Sequence, residues 1–83
     1  MTTSIRDLES VIRRFLGSEL GVDDAALDTP LVAAGLVDSV GLVRLATLVE
    51  RQTGIRIPDR DITPEKFGSI ERILAYVSAK AIR

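Results

Sequence analysis

Midway along the chain, residues 35–42 read GLVDSVGL, which sets the hydroxyl of Ser39 beside the carboxylate of Asp38 and ahead of a small apolar run. Three chemistries are open to a serine in that place. Ser39, or Asp38 before it, can cap a helix by accepting free first-turn amides, and Asp-Ser before an apolar helix is an ordinary capping sequence. Ser39 can attack an acyl substrate, provided that a base stands within hydrogen-bond reach. It can also be modified. A phosphodiester on Ser39 would sit at the positive end of the helix that follows, and Asp38 could help hold a divalent cation during transfer.

Composition weakens the second of these. The chain has no histidine, and its two lysines, Lys66 and Lys80, lie in no serine–lysine motif. A nucleophile elbow needs glycine two residues before and two after the serine; position 37 is Val and only Gly41 fits. No catalytic residue is assigned, and the chain is not expected to be an enzyme. The lack of cysteine excludes disulfides and thiolate metal sites, and together with the lack of histidine it argues against a zinc site, so no metal ligand is assigned. A modifying group on Ser39 would supply the thiol that the chain does not have.

Eighty-three residues, 46% of them hydrophobic, point to one domain over residues 1–83 with a modest stability margin. With two Phe and one Tyr, the core has to come from Leu, Ile, Val and Ala. The net charge of −1 is unevenly spread. Residues 18–38 carry Glu19, Asp23, Asp24, Asp28 and Asp38 with no Lys or Arg, whereas residues 69–83 carry Arg72, Lys80 and Arg83 against Glu71. An acidic stretch leading into Ser39 argues against nucleic acid as a partner and favours a basic protein surface; the competing reading is a solvated acidic loop. MTTSIRDLES has no apolar signal region and no run approaches the ~18 residues of a membrane span, so a cytoplasmic protein without membrane insertion is expected.

The elements that must present Ser39 follow from hydrophobic spacing. In SIRDLESVIRRFLG, residues Ile5, Leu8, Val11, Ile12, Phe15 and Leu16 form one face of an amphipathic helix, with Ser4 and Asp7 as a capping pair and Gly17 as its stop. Residues 18–37 lack sustained periodicity, but Leu20, Val22, Leu27, Leu31, Val32 and Leu36 are expected to pin this long connection across the bundle. A second helix is predicted from Ser39 to Thr53, ended by Gly54. Its core stripe is Leu42, Leu45, Ala46 and Val49, with Leu48 beside it. Its outer face is Val40, Gly41, Arg44, Thr47 and Arg51, with Val43 on the border. Ile55 and Ile57 alternate in an extended stretch ahead of Pro58. Thr63, Pro64 and Glu65 open a short helix, Gly68 and Ser69 close it and cap the next, and Ile70, Ile73, Leu74, Val77 and Ile82 repeat the amphipathic pattern. The expected fold is an all-α four-helix bundle: three longer helices, one short third helix, and a long loop between helices 1 and 2.

The stretch LVAAGLVDSVGLVRLATLVE resembles the region around the attachment serine of the acyl and peptidyl carrier proteins, and IPDRDITPEKFGSI resembles the lead into their third and fourth helices. The similarity covers nearly the whole chain. It implies 4′-phosphopantetheine attached covalently to Ser39, with Asp38 as the acid beside Mg²⁺ during loading. By position, Val40, Val43, Arg44 and Thr47 would face partners. Leu42, Ala46, Ile57, Ile62 and Phe67 would either border an interior space for acyl chains or simply form core. The implied partners of a monomer are a phosphopantetheinyl transferase, an acyl- or aminoacyl-activating enzyme, and a downstream transferase or synthase that takes the thioester-linked cargo.

Fatty-acid carriers typically have an acidic second helix; here residues 39–54 carry Arg44 and Arg51 against Glu50. Asp38 to Val43, DSVGLV, is closer to discrete carriers such as the D-alanyl carrier proteins and those of polyketide and nonribosomal-peptide biosynthesis. A stand-alone carrier of a small aminoacyl or short acyl unit in specialised metabolism is therefore expected. The alternatives are a fatty-acid synthase acyl carrier protein and, in another class, an unmodified helical protein-interaction domain with Ser39 merely a cap.

Overall fold

The computed structural model describes residues 5–81. Within them lie α1 (Ile5–Glu19), α2 (Ser39–Thr53), α3 (Pro64–Phe67) and α4 (Ile70–Ala81), with one turn of 3₁₀ helix at Asp59–Asp61 and no strand among the described residues. The expected all-α bundle of three longer helices and a short one is what forms. Ser4, Ile82 and Arg83, assigned above to caps, a stripe and a charge cluster, lie outside the described residues.

The apolar stripes meet in one core. Leu8, Ile12 and Leu16 from α1 join Leu42, Leu45, Ala46 and Val49 from α2, and Ile70, Ile73 and Val77 from α4. Phe67, fully buried on α3, closes one end of the core and stacks at a tilt on Tyr76, ring centroids 5.0 Å apart. Helix α1 packs on both α2 and α4, while α3 packs on α4. The domain measures 33 × 25 × 19 Å. No helix among the described residues is long and apolar enough to cross a membrane.

The end of the first helix differs from the sequence expectation. Helix α1 does not stop at Gly17; it runs to Glu19, and the turn is made at Gly21, whose φ of 68° lets Val22 N–H reach back to Leu16 O at 2.8 Å. Gly17 has an ordinary place inside the last turn, which leaves Glu19 on a helix rather than in the loop.

The connection from α1 to α2 is pinned, though not by all the leucines. Val22, Ala25, Leu31 and Val37 are buried, Leu20 and Val32 pack against the core, and Leu27 and Leu36 remain exposed. Leu31 is the hub. Its N–H donates to Gly68 O at 2.7 Å, and its carbonyl accepts from both Leu36 N–H and Val37 N–H at 2.9 Å. A further bond, Glu71 N–H to Leu27 O at 2.9 Å, ties the loop to the start of α4. These bonds satisfy backbone groups that burial would otherwise leave unpaired, and they deliver the chain to Asp38 in a defined position.

Beyond α2 the ends form as expected. Gly54 (φ 74°) donates to Glu50 O, and Glu50 Oε2 accepts from Ile57 N–H at 2.7 Å, which holds the extended stretch against α2. Thr63 Oγ1 caps α3 and Ser69 Oγ caps α4, accepting from Lys66 N–H and Arg72 N–H. The 3₁₀ turn escaped the periodicity reading because three residues are too short to show a period. It carries Asp61, only 8% exposed, whose carboxylate accepts from Lys66 Nζ at 2.8 Å and from the Tyr76 hydroxyl at 2.6 Å.

Candidate functional site at the amino end of α2

Helix α2 begins where the pinned loop ends. Asp38 is extended (φ −93°, ψ −176°), and its Oδ1 accepts from Gly41 N–H at 2.8 Å. The N-cap is thus Asp38, and Ser39 is the first helical residue. Ser39 is exposed, and among the described residues no hydrogen bond engages its Oγ. Leu42 N–H is taken by Asp38 O, so the amides of Ser39 and Val40 are the first-turn donors left without a partner in the described chain.

Gly41 was expected on the outer face; it is buried. A Cβ there would lie 2.9 Å from Val37 Cγ1 and 3.5 Å from Leu20 Cδ2. The helix and the loop that feeds it approach too closely for any side chain, and this approach is what brings the Asp38 carboxylate over the first turn. A period-based reading cannot see it, because Gly carries no hydrophobic signal.

Exposed apolar side chains flank Ser39. Val40 is 68% exposed and Val43 50% exposed, and Leu36 joins Val40 in a groove that reaches Arg44. Thr47, one turn further, turns its hydroxyl back on Val43 O at 3.0 Å. The structure therefore brings Val40, Val43, Arg44 and Thr47 onto the exposed side of α2, below Ser39. Arg44 is also engaged: its guanidinium meets Glu19 Oε1 at 2.9 Å and lies over the Phe15 ring at 5.4 Å from the centroid. Neither Glu19 nor Phe15 was legible as part of this face, since both belong to α1 and only the crossing of two helices joins them to it.

The five residues considered for an interior space have a plainer place. Leu42, Ala46, Ile57 and Phe67 are buried in the core, and Ile62 packs against it.

On the opposite flank, Asp61, Lys66, Tyr76 and Lys80 line a second cleft. The hydrogen bonds from Lys66 and then Tyr76 hold the Asp61 carboxyl below its ordinary value, with Lys80 Nζ 3.9 Å away adding to the effect. Burial, and then the bond to Asp61, pushes the Tyr76 hydroxyl up to about 12. These shifts are those expected of an ion-pair and hydrogen-bond cluster of Asp61, Lys66 and Tyr76.

Among the described residues the α2 terminus offers a free hydroxyl, two free amides and one carboxylate, and the chain has no histidine to form a serine–histidine pair. Comparison with known proteins agrees. The family described as "Phosphopantetheine attachment site" matches residues 10–77. The D-alanyl carrier protein of Enterococcus faecalis (strain ATCC 700802 / V583) is 29% identical over 75 residues, which cover 88% of this chain and 96% of that protein. The chain belongs to the phosphopantetheine-binding carrier proteins, which are not themselves enzymes and work through covalently attached 4′-phosphopantetheine.

Proposed function

We propose that Ser39 is the residue that carries the group, and that residues 1–83 act as one stand-alone carrier of a small aminoacyl or short acyl unit in specialised metabolism. One observation carries the assignment: Asp38 has taken over the capping role, so that the Ser39 hydroxyl is exposed and unbonded at the tip of the bundle. The residues present fit a phosphodiester. The free amides of Ser39 and Val40 point out of the positive end of a fifteen-residue helix, where an anion is favoured. The Asp38 oxygen not used in the cap can share a divalent cation with phosphate oxygens, which removes the repulsion between the two anionic groups during loading.

When bound, the group supplies a thiol on which cargo is held as a thioester. The protein's own share is presentation. Val40, Val43 and Leu36 offer an apolar contact next to Ser39 for a phosphopantetheinyl transferase, an activating enzyme and an acceptor enzyme in turn. Such visits call for small docking surfaces with brief residence. The packed state of Leu42, Ala46, Ile57 and Phe67 supports a cargo that needs no chamber, and the likeness to a D-alanyl carrier protein supports an aminoacyl unit.

Co-expression with a broad-specificity phosphopantetheinyl transferase, followed by intact-mass measurement, tests the assignment. The expected result is one phosphopantetheinyl addition, absent in Ser39→Ala while the circular dichroism spectrum is unchanged. An unmodified, folded wild-type chain beside a labelled control carrier would overturn it.

A further inference from the structure

The crossing of α1 and α2 leaves a groove beside the exposed face of α2. Its floor is Phe15 and Leu48, both partly buried, and half-exposed Val43. Two guanidiniums stand along it. Arg44 and Arg51 are seven residues apart, hence on one face of α2 about 10 Å apart along its axis. Arg44 is paired with Glu19, and Arg51 has no ion pair among the described residues, so the groove bears net positive charge. The setting is unusual for this chain, because the connection that precedes Ser39 is rich in carboxylates.

We propose that this groove receives an amphipathic helix of a partner enzyme with carboxylates at i and i+7 and apolar side chains between them. Charge complementarity selects the occupant. One carboxylate would meet Arg51 and the other would take the place of Glu19 on Arg44, while the apolar side chains cover Val43 and Phe15. Glu19 is then an internal stand-in for the partner. It holds the Arg44 guanidinium over the Phe15 ring, ready for a planar bidentate contact, and must be displaced on docking. As an ion pair whose side chains are 45% and 50% exposed, it contributes little to folding, so its role can be removed without unfolding the domain. The groove is continuous with the exposed face of α2 through Val43 and Arg44, so a helix seated there lies alongside the route to Ser39.

The proposal deepens the carrier reading by naming the chemistry of a partner, yet its test does not depend on loading. A helical probe peptide with Glu at i and i+7 and Leu at i+3 and i+4, and a counterpart with Lys for Glu, are titrated into the isotope-labelled chain before and after phosphopantetheinylation. The acidic peptide is expected to shift the amide signals of Phe15, Val43 and Leu48, and the basic one to leave them. Glu19→Gln should tighten binding by about two- to five-fold and Arg51→Glu should weaken it by at least as much, with unchanged circular dichroism. Equal response to both peptides, no response to either, or signals moving only around Ser39 would overturn the proposal. A chain that cannot be loaded but shows the expected shifts would remove the attachment reading and leave this surface standing.

Discussion

The backbone N–H of Gly41 donates to Asp38 Oδ1 at 2.8 Å, and through this one bond α2 is capped without the Ser39 hydroxyl. The roles of the two neighbours can therefore be separated. Asp38→Asn keeps a good cap and removes the charge; Asp38→Ala removes both and should cost about 0.5–2 kcal/mol in denaturant unfolding. Both should load more slowly at limiting Mg²⁺, measured as initial rates with a phosphopantetheinyl transferase. Loading by Asp38→Asn at the wild-type rate would deny the carboxylate any part in holding the cation. Ser39→Ala, by contrast, should change stability by less than about 0.5 kcal/mol, as expected of an exposed residue that is not the cap.

Gly68 closes α3 with φ −79°, so its need for glycine is steric and not conformational. A Cβ there would lie 2.2 Å from Pro64 O, and Gly68 O is also the acceptor for Leu31 N–H. Gly68→Ala should destabilise by about 1–3 kcal/mol, as forced overpacking does, and should expose the Leu31 amide to faster hydrogen exchange. Unchanged exchange at Leu31 would show that the loop is not held from this end.

Leu31 and Leu36 are identical in type and five residues apart, but one is fully buried and the other 45% exposed. Leu31→Ala should cost about 2–5 kcal/mol, while Leu36→Ala should leave the melting temperature nearly unchanged. Leu36→Ala should instead raise the KM of the loading enzyme for this carrier, since the exposed Leu36 lies beside Val40 in the groove next to Ser39. A stability loss at Leu36 comparable to that at Leu31 would reverse the assignment.

Tyr76 is the sole tyrosine of a chain without tryptophan, so tyrosinate absorbance reports it alone. Its hydroxyl is raised to about 12 from 10.0, chiefly by burial and then by the bond to Asp61. A proton held more tightly by the folded state stabilises it below the unfolded value, and that contribution is lost as pH climbs from about 10 to about 12. The sign for Asp61 is opposite. Its lowered value gives stability that is present above the ordinary carboxylate range and is lost as pH falls through it. Unfolding measured across both ranges should show a decline at each end, and Tyr76→Phe should flatten the alkaline limb. Tyrosinate appearing near 10 in the folded protein would break the Asp61–Tyr76 link.

Local rules were enough for most of the architecture. The 3.6-residue stripes of Leu8, Ile12 and Leu16, of Leu42, Leu45 and Val49, and of Ile70, Ile73 and Val77 are amphipathic, and burial follows directly from that spacing. The bounds of α2 were legible for the same reason: an acid–serine pair at one end and Gly54 at the other are satisfied within a few residues of sequence. The position of Ser39 at the mouth of α2 was readable from these signals as well.

Long-range approach decided the rest. Sequence left open whether Asp38 or Ser39 caps the helix, because both residue types do so equally well; in the folded chain Asp38 takes the cap, beside the close approach of Val37 and Leu20 to Gly41, and the serine is left free. Leu27 and Leu36 look no different from Leu31 along the chain, and only the tertiary packing buries Leu31 while leaving the other two exposed. The Glu19–Arg44 pair joins residues 25 positions apart, and Asp61 with Tyr76 joins residues 15 apart. Contacts of that kind have no period and no neighbouring residue to announce them, so they come into being only when the helices cross.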